Sequence, residues 1–123
     1  MLTEEKLTLE RANHYIQENK GNVNPLYRPT YHVSAPVGWL NDPNGFVYYQ
    51  GEYHLFYQFY PYNSQWGPMH WGHAKSKDLI HWEELPVALA PDEWYDKDGC
   101  FSGSAIEKDG RLYLMYTGHV VED

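Results

Sequence analysis

The chain has one cysteine, Cys100, in 123 residues. An internal disulfide is therefore excluded, and a lone thiol points away from the disulfide-stapled class of secreted domains. Long apolar runs are also missing. No stretch approaches the roughly 18 residues that a membrane-spanning helix needs. Met1 to Glu10 carries charge from its fourth residue and has no apolar h-region, so no signal peptide is read there. Together these absences lead to the expectation of a cytoplasmic protein with no membrane partner. Basic residues are few, 9 Lys and Arg against 17 Asp and Glu, and they form no cluster. The electrostatic footprint of a nucleic-acid binder is absent. A formal net charge of −8 mainly favours solubility. There is no glycine-rich phosphate loop and no Ser/His/Asp arrangement.

What the chain has in quantity is aromatic residues. They make up 17% of it, including 12 Tyr and 5 Trp. Flat rings stack on the C–H faces of sugars, so the richness suits carbohydrate binding. The plainer reading is that Tyr and Trp are good strand formers. The length suffices for one small domain with its own core.

Residues 1–30 read as an N-terminal helix and linker. The helix is expected over Thr3 to Lys20, with Thr3 as N-cap and Glu4 and Glu5 in the first turn, where the helix dipole favours them. Leu9, Ala12 and Ile16 supply an apolar stripe, and Lys20-Gly21 is a stop signal. Asn22 to Pro29 follows as linker.

Residues 31–123 read as strands and turns. Phe46–Tyr49 and Tyr53–Phe59 flank Gln50-Gly51, a tight hairpin. His70–Ser76 and His81–Leu85 follow, joined by a turn at Lys77-Asp78-Leu79. Four successive strands of this kind make one propeller blade. Then the pattern restarts. Gly51-Glu52-Tyr53-His54-Leu55-Phe56-Tyr57 aligns with Gly110-Arg111-Leu112-Tyr113-Leu114-Met115-Tyr116 at an offset of 59 residues. Asp109-Gly110 is a second hairpin turn, joining Ser104–Glu107 to Leu112–Thr117. A strand–turn–strand repeat of this length points to a propeller. The expectation is an all-β fold, the first blade and half of the second, preceded by an α-helix. Because a propeller must close its ring, the chain is expected to be a fragment of a longer enzyme.

The segment Trp39-Leu40-Asn41-Asp42-Pro43-Asn44-Gly45 is the most informative one. Pro43 fixes its own φ, Gly45 permits φ > 0, and Asn or Asp side chains bond local backbone. The segment is therefore expected to be a turn leading into a strand at Phe46. It holds one carboxylate, Asp42, at a stiff position suited to chemistry. On spacing alone, a surface turn that happens to contain Asp is the commoner reading.

The seven residues closely resemble the nucleophile motif of glycoside hydrolase family 32, the invertases and sucrose-6-phosphate hydrolases. Further resembling pieces follow in the family's order. They are Phe56-Tyr57-Gln58, Trp66-Gly67, His70-Trp71-Gly72-His73, Ser76-Lys77-Asp78-Leu79 with Trp82, and Phe101-Ser102-Gly103-Ser104-Ala105. The resemblance runs from about Tyr31 to Gly118. It implies a five-bladed β-propeller with an attached β-sandwich, and retaining hydrolysis of β-fructofuranosides such as sucrose or sucrose-6-phosphate. No cofactor and no metal are implied, and the partner is a small carbohydrate. By resemblance Asp42 is the catalytic nucleophile. Trp39, Leu40, Asn41, Gln58, Trp66, Phe101 and Ser102 would bind substrate. The family's acid is a Glu in a Glu-Cys motif, and a further Asp sits in an Arg-Asp-Pro motif. Neither motif occurs in these 123 residues.

Without the resemblance, Phe101 and Trp66 read equally well as core, and Gln58 and Ser102 as exposed strand ends. His70 and His73 lie three apart in a strand and face opposite sides, which argues against a shared metal. Asp92, Glu93, Asp96 and Asp98 read as a solvated acidic loop, with a calcium site as the less favoured alternative. Two readings compete with a sucrose hydrolase. One is a non-catalytic sugar-binding or structural module. The other is a related five-bladed glycosidase acting on fructans or arabinofuranosides.

Overall fold

A computed structural model of the chain describes residues 5–122. One α-helix precedes six strands: α1 (Leu9–Asn19), β1 (Trp39–Tyr49), β2 (Glu52–Tyr60), β3 (His70–Ser76), β4 (Glu83–Leu89), β5 (Gly99–Lys108) and β6 (Arg111–His119). No described helix is long and apolar enough to cross a membrane.

The helix starts later than its composition suggests. Thr8 is the N-cap, and its hydroxyl accepts from the Arg11 N–H at 3.2 Å. Glu5 lies ahead of the helix and ties back to it, meeting the Arg11 guanidinium at 3.0 Å. The expected cap at Thr3 lies outside the described residues. At the other end Lys20–Asn22 tightens into a 3₁₀ turn.

β1 to β4 form one antiparallel meander, and β5 pairs with β6 in a second sheet. Both hairpin turns carry positive φ at two successive residues, Gln50-Gly51 and Asp109-Gly110. That is the turn geometry whose twist matches paired strands. β4 begins at Glu83 and continues past Pro86 to Leu89, later and longer than the expected His81–Leu85. Its first residues are displaced because Asp78 holds the preceding turn, accepting from the backbone N–H groups of Ile80 and His81.

The first sheet buries both faces. Tyr57, Phe59, Ala74 and Val87 pack against Ala12 and Ile16 of the helix. Phe56 and Trp71, on the opposite face, pack with Cys100 and are flanked by Ala105, Leu112, Leu114 and Tyr116 of the second sheet. Neighbouring side chains of β2 thus enter two separate cores, Tyr57 and Phe59 on one face and Phe56 on the other. The helix also covers the sheet's edge, where Asn13 Oδ1 accepts from the Val87 N–H at 2.8 Å.

The expected turn at Asn41–Gly45 is a correction. These residues lie inside β1, which is one strand interrupted by two register shifts, between Leu40 and Pro43 and between Asn44 and Val47. Turn-favouring residues here make bulges instead of reversing the chain. Pro43 lacks an N–H to lose from the ladder, and Gly45 takes a φ of +54°. A Cβ on Gly45 would sit 3.0 Å from both Ala105 Cβ and a Phe56 ring carbon, so this glycine lets β1 and β5 approach.

Candidate active site

The first bulge decides which side chains meet. Leu40 pairs with Phe59 and Pro43 with Tyr57, so Asn41 and Asp42 together oppose the single residue Gln58. Consecutive strand residues normally face opposite sides. Here the extra residue re-aims the chain, and Asn41 and Asp42 both line one cleft. The second sheet repeats the device. Phe101 pairs with Thr117 and Gly103 with Tyr116, leaving Ser102 as the extra residue, and Phe101 and Ser102 line the same cleft.

The cleft has a volume of about 390 Å³ and is lined by Asn41, Asp42, Gln58, Trp66, Met69, Phe101, Ser102 and Thr117. Asp42 is exposed and is the one carboxylate among those eight residues. The Trp39 indole N–H donates to Asn41 Oδ1 at 2.9 Å. That bond commits the amide oxygen and keeps the Asn41 N–H donors for a ligand. Gln58 is buried, and its Nε2 donates to the Cys100 carbonyl oxygen at 3.0 Å. Its own carbonyl oxygen remains as an acceptor. Trp66 is 55% exposed and meets Phe101 edge-to-face, with ring centroids 6.4 Å apart. Phe101 stacks in turn on His119 at 4.2 Å.

Of the residues singled out in the sequence, Asn41, Asp42, Gln58, Trp66, Phe101 and Ser102 converge on this cleft. Trp39 reaches it through Asn41. Leu40 does not line it and packs against the core under the helix. Trp66 is not core, and Gln58 is not an exposed strand end, because the second sheet closes over it. Met69 and Thr117 were missed. Thr117 was legible in principle, since it lies 59 residues after Gln58, the same offset that relates Phe101 to Asp42. Met69 carried no such signal.

His70 and His73 do face opposite sides. His70 packs beside Tyr60 and Tyr62, while His73 stacks on Phe56 and meets His54 at 2.9 Å. Burial lowers both imidazoles to about 4, the neighbouring His54 also contributing at His73. The acidic loop is a second correction. Asp96 is 2% exposed, held by groups from three directions, so the loop is not uniformly solvated. Among the described residues no three His, Cys, Asp or Glu side chains gather in a metal-holding group.

The family model described as Glycosyl hydrolases family 32 N-terminal domain matches residues 32–123. The chain belongs to glycosyl hydrolase family 32. In this family frame the four-stranded meander is one propeller blade and β5–β6 is the first hairpin of the next. Among its relatives is a sucrose-6-phosphate hydrolase of Zymomonas mobilis, 63% identical over 93 residues, which cover 76% of this chain and 18% of that protein. A levanase of Bacillus subtilis is 68% identical over 92 residues, covering 75% of this chain and 13% of the levanase. A mutant family 32 β-fructofuranosidase of Bombyx mori, solved in complex with sucrose, superposes with a TM-score of 0.86 at 55% identity. That superposition covers 93% of this chain and 24% of the other. The chain therefore spans less than a quarter of the length of each of these proteins.

Proposed function

We propose that this chain supplies the nucleophile and part of the fructosyl-binding wall of a retaining β-fructofuranosidase acting on sucrose or sucrose-6-phosphate. The observation that carries the reading is the bulge that sets Asp42, the one carboxylate of the cleft, beside Asn41 and opposite Gln58. In the proposed reaction an Asp42 oxygen attacks the anomeric carbon of the fructosyl unit. The bond to the glucosyl oxygen breaks, and a protonated carboxyl group gives that oxygen its proton. Retaining glycosidases hold that second carboxyl about 5–5.5 Å from the nucleophile. Water then releases fructose from the covalent fructosyl–Asp42 ester. Asn41, Gln58 and Ser102 offer both donors and acceptors to sugar hydroxyls, and Trp66 and Phe101 give the ring a flat apolar wall.

The test uses the intact gene product that contains these residues. It is quenched during turnover of a slow fructoside, digested and weighed by mass spectrometry. A fructosyl adduct on the peptide containing Asp42 is the expected result. An adduct on another carboxylate would move the nucleophile elsewhere. No fructoside hydrolysis at all would favour a non-catalytic sugar-binding module. The levanase similarity favours a second substrate class, fructan chains, and turnover of levan faster than sucrose would select it.

A further inference from the structure

Asp96 is buried without a cationic partner, since no salt bridge among the described residues reaches it. A buried carboxylate of that kind is costly unless hydrogen bonds satisfy it. Two of its three side-chain bonds reach β5, the strand that carries the Phe101–Ser102 wall, and its partner β6. Oδ1 accepts from the Glu93 N–H at 2.9 Å. Oδ2 accepts from the Tyr116 hydroxyl at 2.7 Å and from the Cys100 thiol at 3.5 Å. The Tyr116 ring lies edge-on to Trp71, with centroids 6.2 Å apart. The Trp71 indole N–H then donates to the Phe101 carbonyl oxygen at 3.1 Å. From the other side, the Asp96 carbonyl accepts from the Gly99 N–H at 2.8 Å and fixes the entry to β5. Phe101 and Ser102, which line the cleft, are thus flanked by two routes that both end at Asp96.

We propose that Asp96 is a positioning residue for the Phe101–Ser102 wall, setting where that wall meets the fructosyl unit. This rests on reading the cleft as a fructoside site. The choice of Asp follows from its partners. An amide N–H, a phenol and a thiol are all donors, and an ionised carboxylate is the side chain that accepts from all three. Burial first, and the Asp96 carboxylate after it, hold both Tyr116 and Cys100 well above their ordinary values, so both stay neutral donors.

An Asn at this position has one oxygen for these donors and turns its NH2 group against another donor. On this proposal Phe101 and Ser102 hold the fructosyl unit without supplying a reacting atom, so displacing them is expected to raise KM and to spare kcat. A residue that served stability alone would lower the folded fraction, and thus apparent kcat, without moving KM. In the intact gene product, Asp96→Asn is expected to raise KM for sucrose about tenfold, with kcat within about twofold. Tyr116→Phe, the milder change, is expected to raise KM about threefold and serves if Asp96→Asn fails to fold. The double variant should show no higher KM than Asp96→Asn, because the Phe removes the donor that the Asn cannot serve. Unchanged KM in both single variants, or KM effects that multiply in the double, would overturn the proposal. A wild-type protein that hydrolyses no fructoside would instead overturn the fructosidase reading itself, and is seen before any variant is made.

Discussion

Gln58 Nε2 donates to the Cys100 carbonyl oxygen at 3.0 Å, so one side chain of β2 holds the start of β5. Gln58, which lines the cleft beside Asn41 and Asp42 of the same blade, is also a tie to the second. Cleft geometry and blade docking are therefore coupled at Gln58.

Truncating Gln58 to Ala leaves the Cys100 carbonyl without its side-chain donor in the buried seam between the sheets. The expected loss is about 1–3 kcal/mol of stability, read as a lower urea midpoint with an unchanged m-value. A midpoint equal to wild type would show that water replaces the amide.

If Asp42 is the nucleophile as proposed, Asp42→Asn in the intact gene product is expected to abolish fructoside turnover while preserving most sugar binding. The amide is nearly isosteric and keeps an acceptor, but is a far poorer nucleophile than a carboxylate. Loss of turnover by orders of magnitude, with sucrose binding retained in calorimetry, is the expected pattern. Near wild-type turnover would make Asp42 an ordinary bulge residue.

The 123-residue chain by itself should not hydrolyse sucrose. No second carboxylate lines its cleft among the described residues, so nothing protonates the leaving oxygen. Glucose release above background that vanishes on Asp42→Ala would disprove this and require another acid in the chain.

Acid should weaken the fold through His70. Its Nδ1 faces the Pro68 carbonyl oxygen at 2.9 Å, so the buried ring is neutral with the proton on Nδ1. Burial lowers its folded value to about 4 from an ordinary 6.5. Unfolding frees the ring to bind a proton below pH 6.5, while the folded ring resists down to about 4. Stability is thus full above 6.5, falls between 6.5 and 4, and levels off below 4, a total of about 3 kcal/mol. His73 acts in the same direction, more weakly because water screens it. Urea midpoints across pH 4 to 8 test this, and His70→Asn, which keeps an N–H for Pro68, should flatten the slope.

Gly103→Ala should fail to fold the second hairpin. A Cβ there would overlap the Met115 carbonyl oxygen across the bulge, a backbone atom that cannot swing away. The expected cost exceeds about 2 kcal/mol, comparable to severe overpacking. A proteolysis profile matching wild type across β5 and β6 would show that the bulge relaxes.

Much of this was legible from local pattern. The Gln50-Gly51 and Asp109-Gly110 turns and the apolar strands depend on neighbours in sequence, and together with the repeat at 59 residues they located both hairpins. The clustering of Asn41, Asp42, Gln58, Trp66, Phe101 and Ser102 was anticipated through family motifs, since no local rule joins residue 42 to residue 102. The helix start was misjudged because Thr3 and Thr8 are equally good caps on paper.

What the sequence by itself determined is the chemistry available: one carboxylate in a stiff, proline- and glycine-containing segment, amides and aromatic rings near it, and a repeat that builds a propeller blade. Tertiary structure decided what those groups do. Asn41–Gly45 became bulges because β2 offered β1 a continuous ladder, so a segment that would turn in isolation stayed in the strand. Asp96 became buried because Tyr116, twenty residues away, supplied a hydroxyl at 2.7 Å. Sequence patterns report preferences of the backbone and of single side chains. The second sheet's approach to the first brings partners from distant positions, and those partners decide whether a polar group faces water or a core.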